Sequence, residues 1–247
     1  MTPANPDASL RPTWYAGGDS WAGELWTMLH VPYTLMVLSF VAVGAAISVT
    51  FSWSVLGWTM LAYFLGLGLG AHLLDQVPGM GTHYVRHWPT WALWVGGFLT
   101  LGAAVVIGIL GAVFVLGLPF LALVGIQALC AIGYPLSTWF GGAFHRNSVF
   151  ALSWGALPAL VSFYAQAHSF SLLAFGIAAV FGGVAYAEIR LSRASRQLRA
   201  EARAAVPVPE PVAPPFRKYD RALVALASGT IALGLLVLLV RVVLVGV

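Results

Sequence analysis

The sequence predicts an all-α fold: a polytopic integral membrane bundle of about seven transmembrane helices. Hydrophobic residues make up 60% of the 247-residue chain and charged residues only 8%. A water-soluble domain carries roughly a quarter charged residues to solvate its outside. The apolar residues also gather into runs long enough to cross a bilayer, for which about 20 suffice.

Taken in order, residues 1–25 form a polar N-terminal segment carrying Asp7, Asp19 and Glu24. It lacks the basic-then-apolar order of a cleavable signal peptide. Seven apolar runs follow, at roughly 29–49, 53–74, 90–110, 112–136, 148–167, 170–190 and 221–245. The third and fourth nearly meet at Gly108–Gly111, which predicts a tight helical hairpin there. Gly66, Gly68, Gly70, Gly96, Gly97, Pro119 and Pro158 inside the runs suit close helix packing in lipid. Many of the ten tryptophans, among them Trp26, Trp53, Trp88, Trp91 and Trp139, fall near span ends as in an interfacial belt.

The chain thus divides into the N-terminal segment, a six-helix body over 26–190, a cytoplasmic stretch over 191–219 and a last span over 220–247. Within the third part, "LSRASRQLRAEARAAV" continues the sixth helix with arginines at near-helical spacing. "PVPEPVAPP" reads as an extended polyproline linker. Basic residues fix the orientation: Arg86, Arg146 and the run from Arg190 to Arg221 share alternate loops, while the opposite loops carry no Lys or Arg. The positive-inside rule places these loops and the N-terminus in the cytoplasm, and the C-terminus outside. A prokaryotic cytoplasmic membrane is the expected location. The basic loops are accounted for by topology and attraction to anionic lipid, and no nucleic-acid partner is expected.

Several functions are excluded or weakened at once. A retinal protein needs a buried lysine in its last helix, and the only lysine, Lys218, is expected in the cytoplasmic loop before that helix. The single cysteine, Cys130, excludes an intramolecular disulfide and reads as a small packing residue. Transport has little support, because the polar residues cluster at one face and Gln127 alone is strongly polar inside the fourth span.

Of eight acidic residues, only Asp75 and Glu188 belong to the membrane body, closing the second and sixth spans at the cytoplasmic surface. Ionisable groups at such positions are functional candidates. His72 shares a helix face with Asp75. Together with Glu188 they could ligate Mg²⁺, which takes one or two carboxylates and bridges substrate phosphates. Arg86, His83, Arg146 and the arginines following Glu188 would surround a diphosphate there. The structural alternative is that Asp75 caps its helix or pairs with Arg86 or Arg190, with His72 a hydrogen-bonded packing residue. A further alternative pairs His30 with His72 as ligands of a haem or chlorin.

This layout resembles the UbiA-type intramembrane prenyltransferase superfamily. "AHLLDQVPG", residues 71–79, stands where that family has N-D-x-x-D-x-x-x-D, with Asp75 at the second aspartate and Ala71, His72 and Gly79 at the other acidic or amide positions. "YAEIRLS", residues 186–192, stands at the second acidic motif, with Glu188 its one carboxylate. "GYPLSTWF", residues 133–140, is similar to the family's tyrosine-containing stretch after the fourth helix; the usual lysine is missing and Arg146 is the nearest replacement. "WGALP", residues 154–158, resembles the fifth helix. The resemblance spans about residues 25–195, the first six spans, and the last third departs from it.

What the resemblance implies is a protein that binds an isoprenyl or lipid diphosphate at its cytoplasmic face and passes the prenyl group to an acceptor. Asp75 and Glu188 would be catalytic and, with His72, hold Mg²⁺; Arg86, Arg146, Arg190 and Tyr134 would hold the diphosphate. The shortage of carboxylates limits this to one metal or none, with arginines as the substitute clamp. The alternative expectation is a non-catalytic scaffold or subunit of a larger membrane complex, associated with quinone, lipid or pigment.

Overall fold

The computed structural model describes residues 12, 14–204 and 216–245. The proline-rich stretch 207–215 therefore lies outside the described residues. Among the described residues eight longer helices make up the architecture, with a single 3-10 turn at Ser137–Phe140 besides: α1 (Trp21–Met28), α2 (Val31–Ala46), α3 (Trp53–Asp75), α4 (Thr90–Leu116), α5 (Pro119–Gly133), α6 (Asn147–Ala167), α7 (Leu172–Ala204) and α8 (Arg217–Val245). Five of them are long and apolar enough to cross a membrane, or six spans if α1 and α2, bent by 40°, count as one. The expected fourth span is represented by α5, at 15 residues too short to qualify by itself.

α2 is the hub. It packs against α3, α6 and α8, with α4 and α5 beyond α3 and with α7 bridging α6 and α8. Met36, Phe40, Val41 and Ala45 on α2 are fully buried. Contact with α6 is backbone to backbone: a Cβ on Gly44 would lie 2.2 Å from the Ala159 carbonyl oxygen. In lipid, where apolar side chains gain nothing by leaving solvent, such close approach is what drives helix association.

The bend before α2 has a chemical cause. Pro32 has no N–H to offer the Met28 carbonyl four residues earlier. The His30 ring supplies the missing donor, its Nδ1 donating to the Met28 oxygen at 2.7 Å. Thr34 Oγ1 likewise donates to the Leu29 oxygen at 2.6 Å. His30 itself takes a left-handed conformation, φ 46°.

The hairpin between α4 and α5 lies later than the sequence indicates. α4 runs through Gly108–Gly111 and ends in π-helical turns over Ala112–Leu116. The chain reverses at Gly117, whose φ of 83° favours glycine, and Pro119 opens α5. Gly108 serves packing instead, against Val124.

α8 is fastened to the body at both ends. At one end a buried cluster joins it to α7: Ser195 Oγ donates to Asp220 Oδ1 at 2.5 Å, and Arg199 lies 3.5 Å from the same carboxylate. At the other, Arg241 donates to the carbonyls of Ser48 (2.9 Å) and Val49 (3.3 Å) just past the C-terminus of α2. A cation there also complements the negative end of the α2 dipole.

Candidate functional site

The candidate residues meet at the basic end of the bundle, where α3 and α7 each carry a carboxylate. Asp75 closes α3, a position where the helix dipole disfavours negative charge. Its compensation comes from the following loop, because the Thr82 hydroxyl donates to its Oδ2 in a short hydrogen bond. The Thr82 N–H approaches the same oxygen at 3.4 Å. Gly81 packs so closely that any side chain there would collide with the Asp75 carboxylate. Asp75 thus caps its own loop, and neither Arg86 nor Arg190 forms an ion pair with it among the described residues.

The neighbouring Gln76, fully buried, continues the same tie. Its Oε1 accepts from Tyr84 N (3.1 Å) and its backbone oxygen from His83 Nδ1 (2.6 Å). Glu24, expected in a polar tail, is buried and holds the end of this loop. It accepts from the N–H groups of Arg86 (2.9 Å) and His87 (3.0 Å) and pairs with the His87 ring. Nothing in local sequence distinguishes Glu24 from Asp19; the contact spans 62 residues.

His72 and His30 lie face to face, ring centroids 4.4 Å apart and planes 17° from parallel. His72 Nδ1 donates to the Gly68 oxygen at 3.0 Å, as His30 does to Met28. A carbonyl only accepts, so both neutral rings carry the proton on Nδ1 and leave Nε2 as an acceptor. Stacked rings cannot point both nitrogens at one iron between them, so the pair does not form a bis-histidine haem site.

Glu188 is buried on α7 and makes no hydrogen bond or ion pair among the described residues; Arg196 is the cation within its electrostatic reach. Glu188, Ser192, Ser195, Arg196 and Arg199 lie at helical spacing on one face of α7. Its Ser192, Ser195, Arg196 and Arg199 meet Tyr15, Tyr33 and His30 around a small polar cavity of about 40 Å³. Trp14 and Tyr15, in edge-to-face contact with Tyr33, close it from the N-terminal side.

Next to it stands a second group. Arg193 donates to the Tyr134 hydroxyl and to the His145 carbonyl, both at 3.3 Å, and the His145 ring stacks on Tyr134 at 4.8 Å. Burial raises the Tyr134 pKa, with Arg193 partly opposing, so the phenol stays protonated and can donate to an anion. Partial burial and then the Arg193 charge hold His145 below the usual histidine range. Asp75 and Arg196 lie within electrostatic reach of both.

The structure therefore brings Asp75, His72, Glu188 and Tyr134 to one end, together with His30. It leaves Arg86, Arg146 and Arg190 exposed on the surface. Arg196 takes a place beside Glu188, for a reason the sequence contains, while Arg193, about 140° round the helix from Glu188, turns instead to Tyr134 and His145. Arg190 is two residues from Glu188 and so points about 200° away on a helix, whereas Arg196 is eight away and returns to the same face.

Among the described residues no three His, Cys, Asp or Glu side chains gather in metal-binding geometry. Asp75 already accepts from Thr82 with Gly81 packed against it, so a Mg²⁺ ligated by this carboxylate would have to compete with that hydrogen bond. What the site offers is positive charge and hydroxyl donors around two carboxylates, suited to an oxyanion whose charge arginine can match. Compared with protein-family models, curated proteins and solved structures, the chain matches none.

Proposed function

We propose that the protein is a seven-span, UbiA-like membrane bundle that binds an isoprenoid or similar lipid diphosphate at its basic, cytoplasmic end. The observation that carries this reading is the convergence of Arg193, Arg196, Tyr134, Asp75 and Glu188 there. Arg193 and Arg196 hold the diphosphate, Tyr134 donates a hydrogen bond to it, and the lipid tail remains in the bundle or the surrounding bilayer. A cavity of about 40 Å³ holds a water or two and not a diphosphate. Binding therefore displaces Trp14 and Tyr15. Prenyl transfer would further require stabilisation of the leaving diphosphate, which the two arginines can supply electrostatically.

The second reading, a non-catalytic scaffold or subunit of a larger complex, is favoured by one observation: Asp75 is spent on its own loop. Thermal unfolding of the purified protein with and without geranylgeranyl diphosphate tests the first. A ligand at a hundredfold excess over its dissociation constant stabilises by about 2.7 kcal/mol. The reading requires a shift that shrinks in Arg193→Gln and Arg196→Gln and survives chelation of divalent cations. No shift in the wild type, with stoichiometric partner proteins co-purifying, establishes the scaffold reading in its place.

A further inference from the structure

A second, larger cavity lies in the other half of the bundle. About 410 Å³ in volume, it opens between α3, α4 and α5 and is walled by Leu67, Gly108, Phe114 and Val124 among other apolar groups. Trp58 and Phe114 on its lining are well exposed, so the cavity faces the surrounding hydrocarbon. Its volume is in the range of small-molecule sites. Leu67 lies eight residues before Asp75 along α3, which at 1.5 Å per residue puts the cavity roughly 12 Å or more from the head-group region.

Three polar side chains, Thr59, Tyr63 and Gln127, interrupt the apolar wall, and the Thr59 hydroxyl donates to the Val55 carbonyl of its own helix at 2.7 Å. Tyr63 sits near the middle of the 23-residue α3, so its depth is close to the bilayer centre. Its hydroxyl donates to Gln127 Oε1 at 3.3 Å, and Gln127 Nε2 donates to Ser153 Oγ at 2.8 Å. A primary amide has two N–H donors and two acceptor sites. Among the described residues, Gln127 uses one of each, and its side chain is only half-buried. The second N–H of Gln127, a residue that lines the cavity, has no partner among the described residues, and at this depth hydrocarbon offers none, a costly arrangement unless a ligand completes it.

We propose that this cavity is a binding site for an uncharged lipid of the alkyl quinone class, whose ring carbonyl accepts a hydrogen bond from Gln127 Nε2. Among the described residues no Asp, Glu, Lys or Arg lines the cavity, which disfavours an ionic head group at this depth. The free donor requires an acceptor oxygen. Ester carbonyls of bilayer phospholipids are anchored at the interface by their head groups, so an acceptor at mid-depth belongs to a lipid without one. The ring lies against Tyr63 and Gln127, and the alkyl chain leaves along the Trp58 and Phe114 rim. This site is independent of the diphosphate reading.

The test is a titration of the full chain in nanodiscs with decylbenzoquinone, followed by quenching of tryptophan fluorescence, with decylbenzene as the ligand lacking carbonyls. The expected result is saturable quenching by the quinone, carried largely by Trp58 and reduced in Trp58→Phe. Affinity falls at least tenfold in Gln127→Leu and for decylbenzene in competition. Because Gln127→Leu also removes partners of Tyr63 and Ser153, Ala128→Trp provides the second variant. It fills the cavity while leaving those hydrogen bonds in place, and is expected to abolish saturable quenching. Quenching that never saturates, equal competition by decylbenzene, or affinity unchanged in both variants would overturn the proposal.

Discussion

Single residues at the basic end do structural work that their type alone does not announce. Glu24 satisfies two loop N–H groups and the His87 ring from a buried position. Glu24→Ala leaves those donors without a partner and should destabilise by about 1–3 kcal/mol, the range for a lost buried charged hydrogen bond. Reversible unfolding in mixed micelles reads this directly, and Glu24→Gln, which keeps one acceptor oxygen, should lose less. His145 gives a pH signature. Its pKa is lowered in the folded state, so the unfolded chain takes up the proton first as pH falls below about 6.5. Stability from this group is complete above that pH and lost on descending toward the folded pKa. Unfolding midpoints at pH 7.5 and 5.5 should therefore differ less in His145→Gln than in the wild type.

At the scale of elements, the break between α1 and α2 couples Pro32 to His30. His30 matters because Pro32 cannot donate to the Met28 carbonyl. Replacing Pro32 with Ala restores that N–H, and the His30 ring becomes redundant for this role. A double-mutant cycle should show His30→Ala destabilising in the Pro32 background and markedly less so in Pro32→Ala, a coupling of about 0.5–3 kcal/mol. Additive effects would mean the ring is not the surrogate donor. Most elements were legible from apolar runs: Trp53–Asp75, Asn147–Ala167 and the continuation of α7 past residue 190 follow the sequence expectation closely. The α4–α5 turn was not. Four candidate glycines lie between 102 and 117, and only backbone geometry selects Gly117. Arg196 was legible in principle, since helical spacing from Glu188 marks it and passes over Arg190, whereas Arg193 was not, because its partners Tyr134 and His145 lie on distant segments. Glu24 and the aromatic closure by Trp14 and Tyr15 were not, because they rest on contacts between distant segments.

At the scale of the whole molecule, α8 belongs to the bundle and is not an appended anchor. Gly234 meets Ser39 of α2 so closely that a Cβ would stand 2.7 Å from the serine Cβ, while Asp220 and Arg241 clamp the two ends. Residues 1–204 expressed alone should accumulate poorly, and co-expression of 205–247 as a separate chain should rescue them and co-purify. A stable, monodisperse 1–204 fragment would contradict this view of the hub. The same packing aligns α7, since Arg199 and Ser195 of its inward face are shared with Asp220.

The proposed function requires the inward face of α7 to hold an anionic lipid head group. The most direct measurement is the dissociation constant of geranylgeranyl diphosphate for the wild type and for Arg196→Gln, with geranylgeraniol as the uncharged control. Loss of one charge-assisted contact, about 1.5–3 kcal/mol, weakens the diphosphate roughly tenfold to a hundredfold at 1.4 kcal/mol per decade, and leaves the alcohol unchanged. Equal affinity for diphosphate and alcohol, or a diphosphate affinity indifferent to Arg196, would contradict it.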